Sequence, residues 1–153
     1  MAQGRSNIYA LAFDFGLRRI GVAVGQTLTQ TAGGLGIVAA HDGEPDWKAV
    51  ERLADEWHPQ ALVVGIPYNA DGSEQPITER AREFAQTLGE RLGLPVHLVD
   101  ERLSSHAAEA ELKTERQAGR RRLRKGDIDS RAARLILESW LREPARRQET
   151  SPQ

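Results

Sequence analysis

Apolar residues fill Tyr9–Phe15 almost without interruption, the chain turns at Gly16–Arg18, and apolar positions resume from Ile20 to Val24. A run that is apolar at successive positions buries both faces, which predicts a central strand with the second run as its hairpin partner. After the polar stretch Gln26–Thr31, Leu35–Ala39 reads as a third, short strand. The spacing then turns helical. Trp47, Val50, Leu53, Ala54 and Trp57 share one face of a helix capped by Asp46. Ala61–Ile66 is a buried strand ended by Pro67, and a loop to Gln75 leads into a helix opened by Pro76 and ended near Leu92 by Gly93. Val96–Val99 is the fifth strand. A helix capped by Ser104 or Ser105 runs to about Glu115, and the last helix runs from about Ile128 to Arg142.

The order is β-β-β-α-β-α-β-α with one further helix. Three meandering strands followed by α/β alternation predict an α/β domain, a mixed five-stranded sheet with helices on both faces. Residues 8–142 form one domain, with 1–7 and 143–153 as flexible termini. A length of 153 residues, 39% hydrophobic and 28% charged, fits one soluble globular unit with a real core. No apolar stretch approaches the roughly 18–20 residues that span a bilayer, and the N-terminus lacks a secretory core. The chain has no cysteine, which excludes disulfides, thiolate metal sites and cysteine nucleophiles. Cytoplasm is the expected compartment, and no membrane partner is expected.

Asp14 is the one carboxylate in the first apolar run. A charge among Ala, Leu and Phe is costly unless a hydrogen-bond network, an arginine or a metal compensates it. If the first strand, Ala61–Ile66 and Val96–Val99 are parallel, their carboxyl ends share one edge, where open α/β sheets bind ligands. Asp14, the loop after Ile66 and Asp100-Glu101 then meet. Asp100 and Glu101 alternate in direction, so one of them faces the crevice, and the pattern leaves both as candidates. On the last helix, Asp129 shares a stripe with Ala132, Ala133, Ile136 and Trp140, whereas Asp127 lines up with Ser130, Arg131 and Arg134 and sits at the N-cap position. Asp129 is therefore the expected third acid. Three carboxylates in one crevice repel unless cations fill it, and oxygen ligands of this kind suit one or two Mg²⁺ or Mn²⁺ ions. Such ions activate water and stabilise the leaving oxygen of a phosphodiester. Net charge is −1, yet residues 116–125 hold six Lys/Arg and no acid. That segment, with Arg120, Arg121, Arg122, Arg124 and Lys125, is the expected phosphate-backbone contact beside the acids.

These residues, in this order, resemble the YqgF (RuvX) family of Holliday-junction-resolvase-like nucleases, which have an RNase H-like fold. The resemblance spans roughly residues 8–142. It rests on Phe13-Asp14-Phe15-Gly16 with Arg19-Ile20-Gly21-Val22-Ala23, Val64-Gly65-Ile66-Pro67 with Asp71-Gly72, Asp100-Glu101-Arg102-Leu103-Ser104, and Lys125-Gly126 with Asp129 and Ala132-Ala133. It implies a metal-dependent endonuclease of the bacterial cytoplasm that matures the 5′ end of pre-16S rRNA. Carried over by position, the catalytic and metal-holding acids are Asp14, Glu101 and Asp129. Arg102 orients Glu101 or contacts phosphate, and Arg18 and Arg19 join the phosphate contacts. The implied partner is structured RNA, within the ribosomal particle or outside it, with branched DNA as the alternative and a monomer or weak dimer as the form. One departure is Gly33-Gly34-Leu35, where the family often has a proline before the leucine. The basic segment is also unusually rich in arginine.

Three other readings compete. The strand-Asp-Gly hairpin also resembles the first phosphate loop of actin-like ATPases, but those close two such domains on a nucleotide and this length supplies one. A DNA-junction nuclease would keep the same acids. A non-catalytic RNA- or ribosome-binding factor on a nuclease fold would not need all three. Gly33-Gly34-Leu35-Gly36 lacks the lysine and spacing of a P-loop. His97 reads as a packed residue, the three tryptophans as core, and Tyr68 as a candidate for base stacking. His106 is given no role.

Overall fold

The computed structural model describes residues 7–102 and 130–143. Its strands are β1 (Tyr9–Asp14), β2 (Arg19–Gln26), β3 (Thr31–His41), β4 (Glu44–Pro45), β5 (Ala61–Ile66) and β6 (Val96–Asp100). Its helices are α1 (Trp47–Trp57), α2 (Pro76–Leu92) and α3 (Arg131–Leu141). The sheet order is β4-β3-β2-β1-β5-β6. β1 to β4 form an antiparallel meander, while β1, β5 and β6 run parallel, as expected for a mixed sheet. The sixth strand, β4, is only two residues long and pairs with the end of β3 at Ala40 and His41. It is a short return after the Asp42–Gly43 turn, too brief to leave a periodic signal.

Alternation along β1 sorts the two cores. Leu11 and Phe13 point to the face covered by α1 and α2, where they pack with Leu62, Val64, Val50, Phe84 and Leu88. Ala10 and Ala12 point to the other face, with Ala23, Val63 and Val99, against Ala133, Ile136, Leu137 and Trp140 of α3. Small side chains on that second face let α3 come close. Three glycines form its seat: a Cβ at Gly34 would collide with the Ser130 side chain, one at Gly65 with Ile136, and one at Gly25 would stand 2.9 Å from Leu137 Cδ2.

Local signals explain the helix ends. The Asp46 carboxylate accepts from Ala49 N at 3.4 Å and caps α1. At the start of α2, the Thr78 hydroxyl accepts from Gln75 N at 2.9 Å and donates to the Pro67 carbonyl. Gly93, at φ 66°, closes it in the left-handed conformation that glycine adopts freely.

The structure corrects three readings. β3 starts at Thr31, not at Leu35, so the glycine-rich run is strand; its register jumps from Gly36 opposite Val22 to Gly34 opposite Ala23, leaving Leu35 as a bulge beside Gly36 at φ 113°. α3 begins later than expected, with Ser130 at the cap position that Asp127 was expected to fill. The inward face of α3 also differs. Ala132 is exposed, whereas Ser130 and Arg131 are buried, because the helix is rotated to seat Ser130 on Gly34. The expected helix after Ser104 and the basic segment lie outside the described residues.

Candidate active site

Asp14 ends β1. The alternation that sends Ala10 and Ala12 toward α3 sends Asp14 the same way, and its register partners on either side are Gly21 and Gly65. Glu101 follows β6. Val99 faces α3, Asp100 faces away, and Glu101 returns to the α3 side, so the geometry selects Glu101 over Asp100 as the acid beside Asp14. Gly65 makes this possible. A Cβ there would lie 2.9 Å from both Cγ and Oε2 of Glu101, so the Glu101 side chain crosses the sheet in the space a larger residue would fill.

The two carboxyls meet in a hydrogen bond under the edge of Ile136. Burial pushes the Glu101 carboxyl up to about 8, and the neighbouring Asp14 charge adds to the rise. Burial also raises Asp14, against which the hydrogen bond from Glu101 pulls downward. Two partly buried carboxyls in contact cannot both ionise cheaply, so without a cation the pair holds a proton between them.

Arg102 belongs to Asp100. Its Nε lies 3.1 Å from each Asp100 oxygen and its Nη2 2.6 Å from Oδ2. The Arg102 backbone N–H also donates to Oδ1 at 2.9 Å. This grip on the preceding residue fixes the strand end from which Glu101 projects. The guanidinium also lies 5.6 Å from the centre of the Tyr68 ring, and Arg82 lies 5.9 Å from it. Arg82 in turn pairs with Glu74 at 2.6 Å and Glu79 at 3.2 Å. Tyr68 is therefore already attended by two cations, which makes it a fastener of the 67–75 loop before it is a base platform. Sequence reasoning missed Arg82; the only local trace was the Glu79/Arg82 spacing on a helix face.

Arg18 and Arg19 stand exposed on the β1–β2 hairpin, at the same sheet edge as Asp14. Backbone bonds from Gly43 N to Leu17 O at 2.8 Å and Ala40 N to Arg18 O at 2.9 Å tie this hairpin to β3 and its turn, and Arg80 Nη2 donates to Asp42 O at 2.6 Å. His97 packs on Trp140, ring centres 5.0 Å apart, as a core residue should. Asp129, Arg120, Arg121, Arg122, Arg124, Lys125 and His106 lie outside the described residues. Among the described residues, no group of three acids, histidines or cysteines forms a metal cluster. The site there consists of the Asp14–Glu101 pair.

Residues 8–143 match the family model described as RuvX, Holliday junction resolvase. The chain belongs to the RuvX family. Among RuvX-like relatives, a Coxiella burnetii protein named "Putative pre-16S rRNA nuclease" is 52% identical over 139 residues, covering 90% of this chain and 94% of that protein. A Yersinia pestis protein of the same name is 51% identical over 140 residues, covering 92% and 99%. Among solved structures, Thermus thermophilus RuvC in complex with a Holliday junction substrate aligns with a TM-score of 0.55 at 17% identity, over 90% of this chain and 96% of that one. The yeast mitochondrial Holliday junction resolvase Ydc2 aligns with a TM-score of 0.51 at 11% identity, over 92% and 80%. At such identities the likeness is one of fold, and this RuvX chain has the RNase H-like, RuvC-like fold.

Proposed function

We propose that this chain is a metal-dependent endonuclease that hydrolyses a phosphodiester bond near the 5′ end of pre-16S rRNA in the bacterial cytoplasm. The observation that carries the reading is the Asp14–Glu101 pair, two partly buried carboxyls in contact at the carboxyl edge of parallel strands. Membership of the RuvX family and the name borne by relatives at 52% and 51% identity support the substrate.

The donor set fits a hard divalent cation. Both ligands are carboxylate oxygens, and burial leaves the pair short of one positive charge. Asp14 and Glu101 would hold the ion, with Asp129 as the third acid, one residue before the seated Ser130. A Mg²⁺ or Mn²⁺ ion held there would let both carboxyls ionise and would supply Lewis-acid activation of water and of a phosphodiester. The arginines hold the substrate. Arg18 and Arg19 stand on the hairpin beside Asp14, Arg102 stands beyond Glu101, and Arg120, Arg121, Arg122, Arg124 and Lys125 complete the phosphate contacts. In the reaction, water forms a new bond to phosphorus, one P–O ester bond breaks, and the leaving oxygen takes a proton.

A DNA-junction reading draws on the family description and on the fold shared with RuvC. The test offers a labelled 16S-precursor 5′ leader and a four-way DNA junction to wild type and Asp14→Asn, with Mn²⁺ or EDTA. Cleavage of the RNA that needs Mn²⁺ and disappears in the variant is the expected result. Cleavage of the junction alone would move the activity to DNA. A folded protein that binds the RNA without metal and cuts neither substrate would make it a binding factor.

A further inference from the structure

The sheet ends at β6, which among the described residues pairs only with β5. Its sequence, Val-His-Leu-Val-Asp, carries neither lysine nor internal proline, the residues that blunt an edge strand, and among the described residues no strand covers this side. Leu98, at its middle, is 43% exposed. Between Leu98 and α2 runs a groove of about 480 Å³, floored by Ala85, Gly89 and Val96. Gly89 brings helix and strand together, since a Cβ there would lie 2.7 Å from Val96 Cγ2.

The rim of the groove has a symmetry of its own. Arg82, Gln86 and Glu90 line it at intervals of four residues, one straight row along α2 with opposite charges at its ends. α2 runs antiparallel to β6, because Gly89 meets Val96 at the start of the strand while Arg82 and Arg102 meet over Tyr68 at its end. Gln86 and Leu98 therefore stand at one level. A twofold axis through that level lays β6 antiparallel to its copy, with Leu98 on Leu98. It lays α2 antiparallel to α2, with Arg82 facing the partner's Glu90 at both ends and Gln86 facing Gln86. With strands about 4.8 Å apart and α2 packed over both β5 and β6, the two helices come about 10 Å apart, at the upper end of ordinary helix packing. Arg82 already bonds Glu74 and Glu79, but a guanidinium has five donors and this one is partly exposed.

We propose that this face docks a second copy of the chain, β6 beside β6 and α2 beside α2, in a twofold dimer with a continuous sheet. The occupant is a second copy because the row of charges complements itself only under a twofold rotation.

Sedimentation equilibrium of the full chain, from micromolar to millimolar, tests this, with circular dichroism confirming that each variant is folded. Wild type forms a dimer. Glu90→Arg sets arginine against arginine and Arg82→Glu sets glutamate against glutamate, so each weakens self-association by roughly tenfold or more. An equimolar mixture of the two restores both opposite-charge pairs and dimerises again. Leu98→Lys, which leaves the α2 charges intact, also weakens association. A wild type that stays monomeric overturns the proposal. So does a single variant that dimerises like wild type, or a mixture of folded variants that stays apart.

Discussion

A single methyl at Gly65 separates the architecture of the site from the stability of the fold. In Gly65→Ala the new Cβ meets two neighbours, the Ile136 methyl and, at 2.9 Å, the Cγ and Oε2 of Glu101. Gly65 lies in a strand with no left-handed backbone, so alanine gains up to about 1 kcal/mol from lower entropy in the unfolded chain. Overpacking costs about 1–3 kcal/mol. The net loss is about 0–3 kcal/mol, up to about ten degrees of melting temperature at this size. Activity suffers far more, because displacing Glu101 by about 1 Å misplaces the carboxylate proposed to hold the metal and costs on the order of a hundredfold. Adding Ile136→Val removes the methyl that collides but leaves the Glu101 contact. The double variant should recover stability in urea melts and remain inactive in Mn²⁺-dependent RNA cleavage. Activity that returns together with stability, or a Gly65→Ala protein that cuts like wild type, refutes the placement of Glu101 across Gly65.

In metal-free protein the folded state keeps a proton on Glu101 up to about 8, whereas the unfolded chain releases it near 4.5. That contribution to stability is fully present below about 4.5 and is lost as pH rises through about 8, so urea midpoints in EDTA fall across this window and Glu101→Gln flattens the fall. Cation binding displaces the same proton, so Mn²⁺ affinity measured by calorimetry rises with pH up to about 8 and proton release accompanies it. Arg102→Lys keeps the charge but loses the forked grip on Asp100, and cleavage drops by about tenfold with little change in melting temperature. Trp140→Ala empties a fully packed position between α3 and the sheet and costs about 3–5 kcal/mol in urea unfolding.

Much of the fold was legible in the chain because its signals are local. The unbroken apolar run of β1, the Asp46 cap, the Pro76 start and the Gly93 stop each name an element by short-range chemistry. β3 was underestimated because glycine contributes no periodic signal, and its glycines answer to α3, far along the sequence. The same distance hid Ala132. A helical stripe can be drawn with either neighbour included, and only the contact of Ser130 with Gly34 fixes the rotation. At the site, Asp14 was visible as a charge in an apolar run. The choice of Glu101 over Asp100 depends on where β6 ends, which strand propensity does not settle. Arg82 was invisible because its role comes from Tyr68 and Glu74, brought to it by a loop closure that no pattern encodes.

The glycine seat of α3 also orders events in time. Gly25, Gly34 and Gly65 belong to three different strands, so the seat exists only after the meander and the parallel β5 have assembled. The helix that occupies it is read from the messenger after every described strand, and its Ile136 is the wall that closes over the acid pair. Contacts this distant along a chain form late. A ribosome making this protein therefore holds a chain whose two acids have been synthesised but are not yet enclosed, and the pair gains its cover only when the last described helix has emerged.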